Sequence, residues 1–211
     1  LIHKGSLKVT GDYRIQNVAA DGTYGQCSGY IRMENEEDYV SVGGDFVTES
    51  DAGYNDSSYG SDNVLTAGTM ELKGNFQQKR VQVGSYNYDA SNFNATGTHK
   101  VIFSGKGTQS VSFESPSCSG FNDVETQNTD IEFTTEVRGW TMQRDAEFKN
   151  GIAQGTKGSL DLNGHTLEIQ GNFVEGDGNV LIHKGSLKVT GDYRIQNVTG
   201  DGTYGQCSGY I

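Results

Sequence analysis

Hydrophobic residues along the chain come in short alternating runs rather than helical stripes. Leu7/Val9, Val40/Val42, Met70/Leu72, Val111/Phe113, Trp140/Met142, Leu167/Ile169 and Leu187/Val189 each stand two residues apart with a polar or small residue between them. Alternation with this period puts each pair on one face of a β-strand and its neighbours on the other. An apolar triplet precedes each run, opening at Leu1, Ile31, Leu65, Val101, Ile131, Leu160 and Leu181. Behind most runs comes glycine, then Asp or Asn, then an aromatic. The motif reads Gly11-Asp12-Tyr13, Gly44-Asp45-Phe46, Gly74-Asn75-Phe76, Gly171-Asn172-Phe173 and Gly191-Asp192-Tyr193, with Ala146-Glu147-Phe148 a weaker version. Apolar residues at i, i+3, i+4 and i+7 without intervening glycine are scarce, so no amphipathic helix is predicted.

A longer period encloses the short one. Residues 181–211 repeat residues 1–31 except at Ala19/Thr199 and Ala20/Gly200, an offset of 180 residues. Residues 1–180 therefore read as one complete repeat unit, and residues 181–211 as the first coil of the next, continuous with it. Successive triplets lie 21 to 36 residues apart, and each interval holds two or three short strands with glycine corners. This predicts an all-β fold: a right-handed parallel β-helix, or β-solenoid, with about six coils per repeat. The handedness follows the usual rule for parallel crossovers. Coils about 4.8 Å apart would give a unit roughly 29 Å long. A β-sandwich would show hairpin signals between neighbouring strands, and a propeller blade would need four strands per repeat.

The repeated positions then have physical roles. The alternating pairs would stack into columns and form a thin core. The corner glycines would sit at positive φ or in tight packing. The Asp and Asn side chains would cap amides of their own turn or form ladders along the stack. The aromatics would stack inside.

Composition narrows the partners. Thirty glycines and one proline suit many short strands and tight turns. A net charge of −11 repels phosphate backbones, which excludes nucleic acid as an expected partner. No apolar run reaches the ~20 residues of a membrane helix, so no membrane insertion is expected in this segment.

Candidate chemistry is sparse. Cys27 and Cys207 are one position in successive units, and Cys118 would lie three coils away, so no disulfide is expected within this segment. The histidines (His3, His99, His165, His183) have no nucleophile or second histidine beside them and read as solvated or packing residues. Acids cluster at Glu34, Glu36, Glu37 and Asp38, without the spacing of a calcium loop. No cofactor is expected, calcium being the one ion the composition admits. Two polar, tyrosine-rich stretches, 50–63 and 84–98, would place Tyr54, Tyr59, Tyr86, Tyr88 and Phe93 at or near the surface as candidate contact loops. Packing against the flank is the competing reading for these rings.

The strings Gly97-Thr98-His99-Lys100-Val101-Ile102-Phe103-Ser104-Gly105-Lys106-Gly107-Thr108-Gln109-Ser110-Val111-Ser112-Phe113 and Leu162-Asn163-Gly164-His165-Thr166-Leu167-Glu168-Ile169-Gln170-Gly171-Asn172-Phe173 resemble a recurrent line in very large tandem-repeat proteins of Gram-positive bacteria. Those proteins are surface or extracellular β-solenoids, similar to filamentous adhesins. The resemblance implies an extracellular or cell-surface location and offers no catalytic residues. The expected function is a structural module of a long fibre or stalk, assembling with itself end to end, and not an enzyme. An adhesin holding glycan or host protein through its tyrosine loops is the second reading. A polysaccharide-acting enzyme or phage spike is the third.

Overall fold

In the computed structural model the described residues are 1–52, 64–115, 118–128, 131–133, 137–142, 146–148, 156–175, 179–198 and 203–211. They form an all-β structure of short strands, without a helix among them. The largest sheet has eight strands, all parallel. Its order is Ser6–Val9, Tyr39–Val42, Thr69–Leu72, Lys100–Phe103, Asp123–Thr126, Val137–Met142, Thr156–Asp161 and Asn179–Leu181. Spatial order follows chain order, yet between one neighbour and the next the chain passes through one to three strands that belong to other sheets.

One of those other sheets is the aromatic one. Tyr13–Ile15, Phe46–Thr48, Phe76–Gln78, Gln109–Phe113 and Ile131–Phe133 lie side by side in parallel. Ala146–Phe148, Thr166–Ile169 and Ser186–Val189 form a third parallel sheet. Phe173–Glu175 pairs in parallel with Tyr193–Ile195. A shorter row of parallel bridges joins Ile2, Met33, Leu65 and Ala95. Among the described residues, antiparallel pairing is confined to three small hairpins, at 17–25, 81–88 and 197–205.

The expected columns exist. Leu7 pairs with Val40, Val40 with Met70, and Val9, Val42 and Leu72 follow two residues on. Leu167 pairs with Leu187 and Ile169 with Val189. Val40, Val42, Met70, Leu72, Val111, Phe113, Leu167 and Ile169 are buried in one cluster, with Leu7, Leu187 and Val189 packed against it. Each fully buried side chain of this kind contributes about 1.5–3 kcal/mol.

Leu167/Ile169 and Leu187/Val189 lie in the three-stranded sheet and do not continue the Leu7–Val40–Met70 column, whose sheet holds Leu160 and Val180 at that level. Two further details of register differ from the sequence reading. Val111 and Phe113 do not continue the Leu7–Val40–Met70 column. Val101 and Phe103 do, pairing with Met70 and Leu72. Val111 instead pairs with Phe76, in the aromatic sheet. The short-bridge position before Val101 is taken by Ala95, which pairs with Leu65. A lone alanine between Asn94 and Thr96 suffices there, because Ala95 is already buried against the preceding row. The triplet at Val101 is therefore one strand further along its turn than the triplets at Leu1, Ile31 and Leu65. Secondly, the large sheet takes seven steps from Ser6–Val9 to Asn179–Leu181, not six. The extra row is Asp123–Thr126, whose inward residue Val124 is 1% exposed. Its other neighbours are polar, so it lacks the apolar triplet that marks the rest.

Candidate functional site

The features that recur and could act together are the Gly-Asx-aromatic corner, the boundary between the two copies of residues 1–31, and the flank of hairpins. The corner is a ladder. The Asp45 N–H donates to Asp12 Oδ1 at 2.9 Å, the Asn75 N–H to Asp45 Oδ1 at 2.8 Å, and the Ser110 N–H to Asn75 Oδ1 at 2.8 Å. Each side chain thus caps the next row and not its own turn, which corrects the first of the two expected roles and supports the second. The Asp45 N–H, followed by the Arg14 guanidinium at 2.8 Å, holds the Asp12 carboxyl below the usual carboxylate range.

Tight approach explains the glycines of this motif. The Gly44 N–H donates to the Gly11 carbonyl at 2.9 Å, so a Cβ on Gly44 would stand 2.7 Å from the Gly11 carbonyl carbon. A Cβ on Gly74 would stand 2.7 Å from the Asp45 nitrogen. Among the corner glycines only Gly171 has positive φ, at 128°. Close packing of backbones, more than conformational freedom, is what excludes a side chain here.

The aromatics meet inside as expected. Phe46 stacks on Phe76 at 5.7 Å with planes 4° apart, and Tyr13 meets Phe46 edge-on at 5.6 Å. Phe173 stacks on Tyr193 at 5.2 Å.

The boundary lies between residues 160–175 of one unit and 181–195 of the next. Leu167/Leu187, Glu168/Lys188 and Ile169/Val189 are in parallel register. Lys188 Nζ lies 3.6 Å from Glu168, and His183 Nδ1 lies 3.0 Å from both Asp161 carboxylate oxygens. The ladder crosses the boundary, the Asp192 N–H donating to Asn172 Oδ1 at 2.8 Å and the Gly191 N–H to the Gly171 carbonyl at 2.9 Å. A Cβ on Gly191 would stand 2.7 Å from the Gly171 carbonyl carbon. Glu175, fully buried, accepts a hydrogen bond from the Tyr193 hydroxyl. Burial pushes the Glu175 carboxyl up, and the bond from Tyr193 only partly offsets it. Burial and the neighbouring Glu175 together push the Tyr193 hydroxyl up.

The two copies also agree in detail. Arg14 lies over the Tyr24 ring at 4.7 Å and Arg194 over Tyr204 at 4.8 Å. Asn17 caps Gln26 and Asn197 caps Gln206 in the same manner. Their neighbours differ, residues 1–15 meeting 33–48 and residues 181–195 meeting 160–175. Each copy therefore displays one side of the same layer.

Asp38 belongs to the first of these contacts. It is 1% exposed, and its carboxylate accepts the backbone N–H of Lys4, Glu34 and Asn35. Burial opposes its charge, but these bonds outweigh burial and hold its pKa below the usual range. Asp38 is thus spent on backbone amides. Among the described residues, no group of three or more His, Cys, Asp or Glu side chains gathers as a metal cage.

The contact-loop residues divide. Tyr54 and Tyr59 lie outside the described residues. Tyr86 is 70% exposed and Tyr88 half-buried, on the hairpin Val81–Val83/Tyr86–Tyr88. Phe93 is a core residue, not a surface one: it is 1% exposed and meets Phe76 edge-on at 4.9 Å. Its loop folds inward because the polar neighbours find internal partners. Asn92 donates to the carbonyls of Ser50 and Lys79 and accepts from Gln78, while the Phe93 N–H bonds Ser119.

His99, read as solvated or packing, is wholly buried against Phe93. Neither ring nitrogen has a hydrogen-bonding partner among the described residues. Burial lowers its pKa to about 4, so the ring is neutral near pH 7. Cys27, Cys118 and Cys207 are half-buried and form no disulfide.

Sequence reasoning placed Asp38 and Glu175 only in acidic clusters, without a role, and missed Glu71 and Asp161. Glu71 gathers hydroxyls from the rows on either side of its own, accepting from Tyr39 at 2.5 Å and Ser41 at 3.3 Å on one and from Ser104 at 2.6 Å on the other. No local motif marks these acids. For Asp38, Asp161 and Glu175 the usable signal was placement one row from residues that recur at 180.

By fold and site the chain is an all-β, mainly parallel-stranded protein whose recurring Gly-Asx corners make backbone ladders. The sequence matches no family model, no curated protein and no solved structure.

Proposed function

We propose that the chain is a segment of a right-handed parallel β-helix and serves as a structural module of a long extracellular or cell-surface fibre. One observation carries the reading: residues 181–195, which open the second unit, sit on residues 160–175 by the same in-register pairing that joins rows within the unit. A repeat that continues by its own internal pairing needs no separate interface, so units add in line without limit. Seven rows at about 4.8 Å give an axial unit of about 34 Å. The role is mechanical rather than catalytic. The chemistry-bearing groups at the boundary, Asp161, Glu168, Glu175 and His183, are each engaged by a residue of the adjoining row.

Arrays of several units, imaged by electron microscopy and examined by fibre diffraction, test this. The expected result is a thin unbranched filament with a meridional reflection near 4.8 Å and an axial repeat near 34 Å. Compact globular particles lacking that reflection would overturn it.

A second reading, an adhesin flank holding glycan or host protein, is favoured by one observation. Tyr24, Tyr30 and Tyr86 are all more than half exposed, and the hairpins at 17–25 and 81–88 are tied together by Gln26 accepting from the Gln82 N–H. Titration with a panel of surface polysaccharides, comparing the parent with Tyr86→Ala, tests it.

A further inference from the structure

We propose that residues 160–175 form a docking surface for residues 1–15 of a second copy of this chain, and that charge selects this pairing over the pairing of like layers. The inference rests on the fibre reading and names the partner and chemistry of its junction. The seat is already visible. Residues 181–195 occupy it, and they are identical to residues 1–15 at every position. Whatever holds them there holds residues 1–15 of another molecule equally well.

The seat is acidic where its occupant is basic. Glu168 faces Lys188, the counterpart of Lys8, and Asp161 faces His183, the counterpart of His3. Glu175 accepts from Tyr193, the counterpart of Tyr13, and Asn172 caps the amide of Asp192, the counterpart of Asp12. The opposite side of the same layer is matched as well. There Asp38 accepts the Lys4 amide and Glu37 stands 3.9 Å from the Lys4 ammonium. A basic layer is thus set between two acidic ones.

The competing arrangement stacks 181–195 of one molecule on 1–15 of another. Its apolar rows would fit, Leu187 over Leu7 and Tyr193 over Tyr13. It would also bring Lys188 over Lys8, Arg194 over Arg14 and Asp192 over Asp12, and like charges directly opposite are destabilising. Charge therefore keeps the order of layers and rejects a doubled one. For residues 1–15 to dock in trans, the internal copy must leave its seat, so the exchanged species forms by coil swapping.

Paired cysteines test this in the full chain, in a background carrying Cys27→Ser, Cys118→Ser and Cys207→Ser. Residues opposite each other on adjacent strands fall within reach of a disulfide. The internal copy competes at a millimolar effective concentration, so each variant is oxidised slowly at high protein concentration to trap what exchanges. Thr166 stands opposite Ser186, the counterpart of Ser6, so cysteines at these positions leave every charge in place. Thr166→Cys with Ser6→Cys is expected to give disulfide-linked dimers and higher ladders on a non-reducing gel. Their yield should be at least tenfold above that of Ser6→Cys with Ser186→Cys. Thr166→Cys with Ser186→Cys is expected to close within one molecule. If that internal bond forms while the 166/6 pair stays monomeric, the docking proposal falls and the fibre reading stands. It falls likewise if the 6/186 pair cross-links as well as the 166/6 pair. Failure of the internal bond would overturn both.

Discussion

Tyr193 donates its hydroxyl to the buried carboxylate of Glu175, whereas Tyr13, the same residue one unit earlier, meets the edge of Phe46 on its other side. The two views combine into one sandwich. In the proposed array each such tyrosine would have the counterpart of Phe173 stacked on one side and Phe46 edge-on at the other. A fibre joined in that way would keep its aromatic stack unbroken across the boundary.

Glu175 lies on that boundary at a cost. Burial raises its pKa, so the group supports the fold most at low pH, and that support is lost as pH rises from the ordinary glutamate range through the raised value. Glu175→Gln keeps an acceptor for Tyr193 and removes the charge. The variant should melt with the parent near pH 4 and above it at pH 7, by about 2–4 °C for each kcal/mol regained. Thermal melts between pH 4 and 7 measure this. A variant that is less stable at pH 7 would mean that the ionised carboxylate itself holds the junction.

His99 bends the pH profile in the other direction. Its pKa is about 4 against 6.5 for the free side chain, so the unfolded chain takes up a proton that the folded chain refuses. Stability is therefore intact above about pH 6.5 and declines toward pH 4. Fully developed, the loss is about 3 kcal/mol by linkage. His99→Leu should flatten this acid limb, leaving a parent that weakens between pH 6.5 and 4 and a variant that weakens less. Denaturant titrations at pH 7, 5.5 and 4 make the comparison, and parallel slopes for the two proteins would refute it.

The corner glycines offer a test in which position alone changes the result. Gly44, Gly74 and Gly191 each lie against the backbone of the preceding row, while nothing stands within 4 Å of a Cβ built on Gly11. Gly44→Ala, Gly74→Ala and Gly191→Ala should each cost on the order of 1–3 kcal/mol, as overpacking does. Gly11→Ala should stay within about 0.5 kcal/mol of the parent. Gly11 and Gly191 are the same residue of the repeat, so a difference between them in denaturant midpoint measures the neighbouring row directly.

These contrasts also show what the sequence could and could not convey. Leu7, Val40 and Met70 were readable as one column, because alternation fixes which side chains share a face and the glycine-Asx-aromatic corner fixes the phase. Val101 and Val111 misled because the row that precedes them is seated by Ala95 alone, flanked by Asn94 and Thr96 in a stretch with the composition of a surface loop. Asp123–Thr126 escaped for the same reason, with Val124 as its one aliphatic. Phe93 was misread because Ser91, Asn92 and Asn94 suggest solvent, whereas Asn92 spends its amide on Ser50, Lys79 and Gln78. Polar residues satisfied across rows have the same local signature as polar residues satisfied by water. Only long-range register separates them, and local pattern does not carry it. The ladder direction is of the same kind: Asp12 and Asp45 look like caps of their own turns, and it is the next row's N–H that claims them.

That ladder gives the last prediction. Asp45 stands in mid-ladder, accepting from Asn75 and donating its own N–H to Asp12. Asp45→Asn preserves the acceptor and removes a charge from a column that already holds Asp12, so stability should be unchanged or slightly higher. Asp45→Ala leaves the Asn75 N–H without its acceptor at a partly covered corner and should cost about 1 kcal/mol. Asn75→Ala should cost a similar amount through the Ser110 N–H. The rungs share a backbone and each orients the next, so Asp45→Ala with Asn75→Ala should cost less than the sum of the two, as neighbours in one network do. Urea titrations of the four variants close the cycle. If strict additivity holds, each side chain caps its neighbour independently, and the column is a set of separate hydrogen bonds rather than a coupled ladder.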